Sequence, residues 1–368
     1  MSNNTASPLS DITIFNKYAK FIPELGRRET WPEIVMRNLR MHQDRFPELA
    51  SEIGRVYENY VITKKVLPSM RSLQFGGRPI ELSHSRIFNC AYMPAESHKF
   101  FSELMFLLLG GTGVGYSVQK RHVDQLPSIK APKSDGVHRF QIQDSIIGWA
   151  DTVKVVAKAF FHGGTLPAFD YRDIRDKGTE LVTTGGKAPG PEPLKLCVER
   201  LIGLFRQAVG RKLTPLEVHD MACAIADSVR AGGIRRAAMI CLFDRKDQDM
   251  LRCKAVVPTV VTHLAGVRPE DNGMSEVTFI DVYGQTAKAM VSQYDRKTWA
   301  DTGCLPWYLV APARGRANNS AVLVRNEVSE EEFTQIMGMV EASGCGEPGV
   351  YWTNNPDWGT NPCCRLAA

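Results

Sequence analysis

Nine cysteines, at positions 90, 197, 223, 241, 253, 304, 345, 363 and 364, are the residues of this chain best suited to chemistry. A thiol serves as nucleophile, metal ligand or redox partner according to its ionisation and surroundings. The number is odd and the spacing wide. Met1-Ser-Asn-Asn-Thr5 has neither the basic start nor the apolar core of a signal peptide, so a disulfide framework is not expected and the thiols should be reduced at rest. No Cys-x-x-Cys pair occurs, which leaves a structural zinc site with weak support. Cys197 lies among Leu194, Leu201, Leu204 and Phe205 at helical spacing, and Cys223 sits in the run Met221-Ala-Cys-Ala-Ile225; both read as small core hydrophobes. Two thiols differ in context. Cys90 follows Phe88-Asn89 on a short apolar strand expected over 87–92, and Cys363 is presented by the turn Asn361-Pro-Cys363. On motif shape alone Cys90 reads more readily as core than as chemistry.

Gly110-Gly-Thr-Gly-Val-Gly115 invites comparison with a nucleotide-phosphate loop, which needs Gly-x-Gly-x-x-Gly after a strand and before a helix. Here a helix comes first and the spacing is Gly-x-Gly-x-Gly. A nicotinamide oxidoreductase therefore fails on element order, and these glycines are expected to permit close backbone approach.

The elements that must hold these residues follow from capping signals and periodicity. Thr30-Trp-Pro-Glu33 and Thr214-Pro-Leu-Glu217 are capping boxes with proline at the first helical position. Residues 12–65 read as a small helical region, and Leu67-Pro-Ser-Met-Arg-Ser72 through Gly76-Gly77 breaks it. Leu104-Met-Phe-Leu-Leu-Leu109 is apolar on every face, the mark of a buried helix, and stops at Gly110. Strands are expected at 114–118, 237–243 and 349–353, with helices from about 144, around Cys197, from 214 to 232, and over 329–342. Strand, helix and strand in alternation indicate a parallel sheet or barrel. From Lys254 to Cys304 no period persists.

Composition adds limits. With 43% apolar and 23% charged residues the chain can bury a large core, and at 368 residues it has room for one large domain or two. A net charge of +5 without a block of like charges gives no stripe for nucleic acid. No stretch approaches the roughly 20 apolar residues that a membrane helix needs, and a cytoplasmic location is the default.

Eight motifs together carry a resemblance. Leu67-Pro-Ser-Met-Arg-Ser72, Phe88-Asn-Cys90, Gly111-Thr-Gly-Val-Gly-Tyr-Ser-Val118, Gly185-Gly-Lys-Ala-Pro-Gly-Pro-Glu-Pro193, Ala231-Gly-Gly-Ile-Arg-Arg236, Arg316-Ala-Asn-Asn-Ser320, Gly346-Glu-Pro-Gly349 and Thr360-Asn-Pro-Cys363 stand in the order and rough spacing found in ribonucleotide reductases. The chain most resembles the amino-terminal portion of class II, adenosylcobalamin-dependent ribonucleoside-triphosphate reductases; the large subunit of a class I ribonucleoside-diphosphate reductase and a non-catalytic nucleotide-binding fragment are the alternatives.

The resemblance implies an α/β fold, the first half of a ten-stranded barrel preceded by a small helical domain. The expected divisions are 1–85 (helical), 86–253 (first part of the barrel), 254–304 (an atypical insertion) and 305–368 (barrel continuation to the finger loop). By the same resemblance Cys363 bears the radical, Cys90 is one of two reducing thiols near C2′, and Asn361 holds the ribose hydroxyls. Ser69 and Asn89 match substrate-binding positions, though Ser69 also reads as an ordinary turn serine. Arg314, Arg316, Asn318 and Asn319 match a loop that transmits effector identity. Arg235 and Arg236 either meet phosphate or pair with Asp244 and Asp247, and the pairing is preferred. The implied partners are a ribonucleoside triphosphate, a deoxynucleotide effector and a thioredoxin-type reductant, with the protein a monomer or homodimer.

Two departures stand beside this. The family's finger loop continues with Glu two residues past the cysteine, as general base, where this chain has Arg365, and a guanidinium accepts no proton. The family's second reducing cysteine, phosphate loop and terminal thiol pair lie beyond the point matched by Ala368. The stretch 254–304 also has no counterpart in the family, where Cys253-Lys254 runs within a few residues into Trp307-Tyr-Leu309. One expectation covers both: an interrupted gene, with residues 255–303 and 365–368 read from non-coding or shifted sequence. An intein fits less well, because the stretch is short and lacks a His-Asn ending.

Overall fold

A computed structural model describes residues 8–133, 138–180, 187–229, 237–266 and 272–362. The chain divides into two compact units, Met1–Asn89 and Cys90–Ala368. The first unit thus closes a few residues beyond the expected boundary at 85.

The first unit is built on the helix Trp31–Arg45. The Thr30 box forms as its sequence requires, and Ile34, Val35, Leu39 and Met41 turn inward. Asn38 is buried on the same helix. Its amide donates to the Ser72 carbonyl (2.7 Å) and hydroxyl (2.8 Å), while its carbonyl oxygen accepts from Tyr57 (2.5 Å). A buried amide satisfied on both ends fixes its neighbours in place, and here it fixes the short helix Met70–Phe75 that follows Ser69.

The second unit contains a five-stranded, wholly parallel sheet of β1 (Cys90–Pro94), β2 (Gly113–Ser117), β3 (Met239–Asp244), β4 (Ala317–Val324) and β5 (Gly349–Thr353). The strands lie side by side in chain order. Helix α1 (Phe100–Leu109) crosses from β1 to β2, and α2 (Ile146–His162), α3 (Glu192–Gln207) and α4 (Pro215–Ser228) lie between β2 and β3. Every residue of β2 is buried, as expected of an interior strand covered on both faces. Phe101, Phe160, Phe161 and Phe205 join α1, α2 and α3; the rings of Phe160 and Phe205 stack at 5.0 Å. The observed architecture is the expected α/β one, with parallel strands and crossing helices.

The stretch expected to be irregular is folded. Strands Val261–Leu264, Ser275–Ile280 and Thr286–Val291 form an antiparallel sheet, and burial alternates strictly along 275–280. Val277, Phe279, Val291, Leu305 and Val310 make a small core of their own. Ser292 and Asp295 form a capping box for the helix Gln293–Thr302. The two ends of the stretch meet: Val256–Pro258 pairs with Cys304–Pro306, and the Trp307 amide donates to the Ala255 carbonyl at 3.0 Å. Lys254 lies over the Trp307 ring, so the path from Cys253-Lys254 to Trp307 is spatially continuous. The turn at 281–285 then seats on the main unit, with Tyr283 1% exposed, its ring under Arg200 at 4.7 Å. Alternating burial, a closed pair of ends and a docked tip make the described part of 255–303 a folded portion of the second unit.

Candidate active site

The parallel sheet has two unlike faces, and the split follows from strand alternation. Register pairs Tyr116 with Cys241 and Cys241 with Asn319, so these three side chains share one face, turned toward the helices. Cys90 pairs with Gly113 and Tyr92 with Gly115, which puts Cys90, Tyr92 and Gly115 on the other face together with Ile240 and Asn318.

The second face receives the segment before Pro362. A Cβ on Gly115 would lie 1.7 Å from the Thr360 carbonyl oxygen and 3.1 Å from the Asn361 Cα, so the backbone of 360–361 rests directly on β2. A Cβ on Gly359 would lie 2.0 Å from the Tyr92 ring. Tyr351 on β5 donates its hydroxyl to the Gly359 carbonyl at 3.5 Å. Two glycines are thus required by close approach, as expected of Gly115 from the inverted order of its motif. The structure brings Asn361 over the face that carries Cys90, whose side chain is half-buried at the start of β1. Cys363, expected to bear the radical, lies outside the described residues, as do Cys364 and Arg365.

Ser69 is the N-cap of the helix Met70–Phe75, its hydroxyl accepting from the Ser72 amide at 3.1 Å. This is the turn-serine role, and it leaves the Ser69 O–H available to donate elsewhere. Asn89 accepts from Arg71 Nε at 3.2 Å.

The effector-loop candidates separate into three kinds. Arg314 is 2% exposed and grips Asp220 of α4 with two bonds, 2.7 and 2.8 Å, while donating to the Cys253 carbonyl at 2.6 Å. Arg316 pairs with Asp227 at 2.7 Å, and Asp227 also receives Arg200 at 2.9 Å. Both arginines are structural in this arrangement, because carboxylates of α4 already occupy their forks. Asn319 is buried on the helix face, donating to Cys253 Sγ at 2.9 Å and lying 3.4 Å from His219 Nε2. Asn318 alone of the four is exposed on the face of Cys90. Arg235 and Arg236 lie outside the described residues; of their suggested partners, Asp244 accepts the Lys120 amide at 2.6 Å and Asp247 caps the helix Gln248–Arg252.

Behind the sheet lies a buried polar cluster that sequence reasoning did not anticipate. Tyr116 and His219 Nδ1 are 2.7 Å apart, Cys223 lies 3.6 Å from His219 Nε2, and burial drives the imidazole pKa well below its usual value, so the ring is neutral. Burial likewise pushes the Cys253 thiol up to about 12 and Cys241 well above its ordinary range. Such thiols are protonated and inert, in keeping with the core roles expected of Cys197 and Cys223. Lys254 meets Glu347 at 2.7 Å, and Glu347 also accepts the Asn319 amide at 3.2 Å, so the Gly346-Glu-Pro-Gly349 motif ties β4 to the loop before β5.

No family model matches the chain. Three curated proteins are similar to the chain in sequence. A protein of Lactobacillus helveticus named adenosylcobalamin-dependent ribonucleoside-triphosphate reductase is 24% identical over 314 residues, 66% of this chain and 42% of its own length. A putative enzyme of the same name from Mycobacterium phage D29 is 26% identical over 289 residues, 65% of this chain and 40% of its own. One from Dictyostelium discoideum, named a probable enzyme of this kind, is 25% identical over 284 residues, covering 67% and 37%. A solved B12-dependent class II ribonucleotide reductase superposes with a TM-score of 0.65 at 20% identity, over 92% of this chain and 48% of that one. The chain is similar in sequence to adenosylcobalamin-dependent ribonucleoside-triphosphate reductases and in fold to a class II ribonucleotide reductase. It spans less than half the length of the reductases it matches. No helix among the described residues is long and apolar enough to cross a membrane.

Proposed function

We propose that this chain supplies the thiol-bearing face of a ribonucleotide reductase, acting on ribonucleoside triphosphates within the first half of a ten-stranded barrel. The observation that carries the reading is the seating of Thr360 and Asn361 on Gly115, on the sheet face that holds Cys90. The Asn361-Pro-Cys363 turn and Cys90 then serve one reaction. Cys363, as a thiyl, takes the hydrogen atom from C3′. The 2′-hydroxyl leaves as water with a proton from a thiol, and two thiols, Cys90 one of them, close to a disulfide and deliver the two electrons before the hydrogen atom returns to C3′. Asn361 holds the ribose hydroxyls, the Ser69 O–H donates to substrate phosphate, and Asn89 stands beside Cys90 in the chain. Asn318 is the effector-side contact.

Adenosylcobalamin supplies the initial radical when bound. The donor set fits that group: a corrin brings its own ring nitrogens and asks of the chain a thiol that can give up hydrogen, and the sheet face carries a half-buried one at Cys90. A deoxynucleotide effector and a thioredoxin-type reductant complete the reading, with the protein in the cytoplasm.

Arg365 cannot take the 3′-hydroxyl proton, so the 368-residue chain should form no deoxynucleotide from a ribonucleoside triphosphate, adenosylcobalamin and a dithiol. The same chain carrying Arg365→Glu and extended with the remaining sequence of the phage relative should turn over, and Cys90→Ser and Cys363→Ser should each abolish the product measured by chromatography. Turnover that survives Cys90→Ser would overturn the assignment.

A further inference from the structure

We propose that Arg121 is a positioning residue: by holding Asp357 it fixes where the 359–361 segment lies on the sheet face, and so where Asn361 stands relative to Cys90. The inference rests on the reading of the Cys90 face and adds to it the group that sets the geometry. The chain leaves β5 at Thr353 and must reverse over 354–359 to bring Thr360 back onto Gly115. Its turn is shaped locally. The Asn355 side-chain oxygen accepts from the Asp357 amide at 2.9 Å, the Asn355 carbonyl accepts from the Trp358 amide at 3.1 Å, and Thr353 Oγ1 donates to that same carbonyl at 2.8 Å. Bonds inside a turn give it a shape but do not place it on the sheet.

The contacts that reach from the turn to the sheet differ in strength. Tyr92 packs under Gly359, the Tyr351 hydroxyl reaches the Gly359 carbonyl at a long 3.5 Å, and Gln119 Nε2 donates to the Pro356 carbonyl at 3.3 Å. Arg121 Nη1 meets Asp357 Oδ1 at 2.6 Å, a short and charge-assisted contact. The base from which Arg121 reaches is rigid. Gln119 is 2% exposed, its amide side chain and its backbone N–H both donate to Ser117 Oγ at the end of β2, at 3.0 and 3.2 Å, and the Lys120 N–H donates to Asp244 at the end of β3. Arg121 Nε and Nη2 are buried with no partner among the described residues, so Asp357 is the acceptor that orients the guanidinium. The pair itself is open to solvent, 32% of one side chain and 71% of the other, and such pairs add little to stability. What this one governs is placement, four residues upstream of Asn361, and a shift of about 1 Å at a reacting group costs about 100-fold in rate.

Hydrogen exchange of the 368-residue chain reads this hold without any turnover. Arg121→Met and Asp357→Asn should each speed exchange of the 357–361 amides about tenfold or more with unaltered melting. Arg121→Lys should keep exchange near that of the parent, because a single N–O contact needs a cation and not a fork. In the extended protein carrying Arg365→Glu, Arg121→Met should lower kcat about tenfold or more at unchanged KM, and Arg121→Lys should stay within about threefold of the parent. Exchange over 357–361 indifferent to both Arg121→Met and Asp357→Asn would overturn the assignment. So would faster exchange with kcat unaltered, which would make the pair a contact with no positioning role. Cys90→Ser tests the underlying reading of the sheet face separately, since it removes the thiol and leaves the Arg121 and Asp357 pair in place.

Discussion

Tyr283 offers the sharpest test of whether the stretch 254–304 belongs to the fold. Its side chain is fully buried beneath Arg200, and its carbonyl oxygen presses on α3 so closely that a Cβ on Gly203 would stand 2.3 Å away. Tyr283→Ala removes an aromatic that buries about 150–250 Å², worth about 4–6 kcal/mol at about 25 cal/mol per Å². Measured aromatic-to-alanine losses of about 3–5 kcal/mol agree, so a loss of about 4 kcal/mol is expected. The hydroxyl finds no hydrogen-bond partner among the described residues. Tyr283→Phe should therefore be neutral or stabilising, within about 1 kcal/mol, since it deletes an unpaired buried polar group. Gly203→Ala should mimic Tyr283→Ala from the other side of the contact. Urea denaturation followed by tryptophan fluorescence reads the difference, with hydrogen exchange over 275–291 as a local check. A Tyr283→Ala protein within about 1 kcal/mol of the parent, with exchange unchanged, would refute the claim that the segment is anchored on the main core.

Three further outcomes are expected. Gly115→Ala places a Cβ 1.7 Å from the Thr360 oxygen, so the 359–361 segment must move by about 1.5 Å to reach van der Waals distance; in the extended protein carrying Arg365→Glu, turnover should fall about 100-fold or more, while a mutant with normal kcat would show that the seat is not needed. Brief alkylation at pH 8 should label Cys345, Cys304 and Cys90 before Cys197 and Cys253, whose thiols burial lifts to about 12, and labelling of Cys253 as fast as Cys345 on peptide mapping would contradict that burial. Burial, then the neighbouring Arg37, lowers Lys20 from 10.5 to about 8, so between those values the unfolded chain binds more protons and the first unit should gain stability as pH rises; Lys20→Met should flatten that slope in urea melts at pH 7.5 and 10.

What was legible in the sequence was mostly local. The boxes at Thr30 and Thr214 form as written, and Ser145 and Ser329 cap the helices that follow them, because capping is settled within four residues. The strand Gly349–Thr353 and the buried faces of α1 and α3 follow from pattern alone. What was not legible depends on partners far along the chain. Arg314 looked like a ligand contact because its carboxylate lies 94 residues away, and Arg316 because its partner lies 89 away. The 254–304 fold was missed for a related reason: its strands are four to six residues long, and their alternation becomes evident once antiparallel pairing shows which side is covered. At the sheet face, the glycine motif did announce close approach, but not that the approaching backbone would come from Thr360.

The Arg-Ala-Asn-Asn-Ser motif shows why one run of residues can carry stability and function together. Arg314 and Arg316 bind Asp220 and Asp227, which lie seven residues apart on α4, so two turns of one helix set where β4 begins. From that fixed start, alternation sends Asn319 into the neutral cluster of His219, Tyr116 and Cys253, and Asn318 out onto the face shared with Cys90 and the 359–361 segment. Glu347 then accepts the Asn319 amide and holds Lys254, at the junction where the 254–304 fold leaves the main chain path and returns to it. The register of β4 is therefore coupled both to the tip of that fold, through Tyr283, Arg200 and Asp227, and to its base, through Lys254 and Glu347. A slip of one residue in β4 would exchange Asn318 for Asn319 on the open face and pull Arg314 and Arg316 away from Asp220 and Asp227, so the structural arginines are what place Asn318 over the thiol-bearing face.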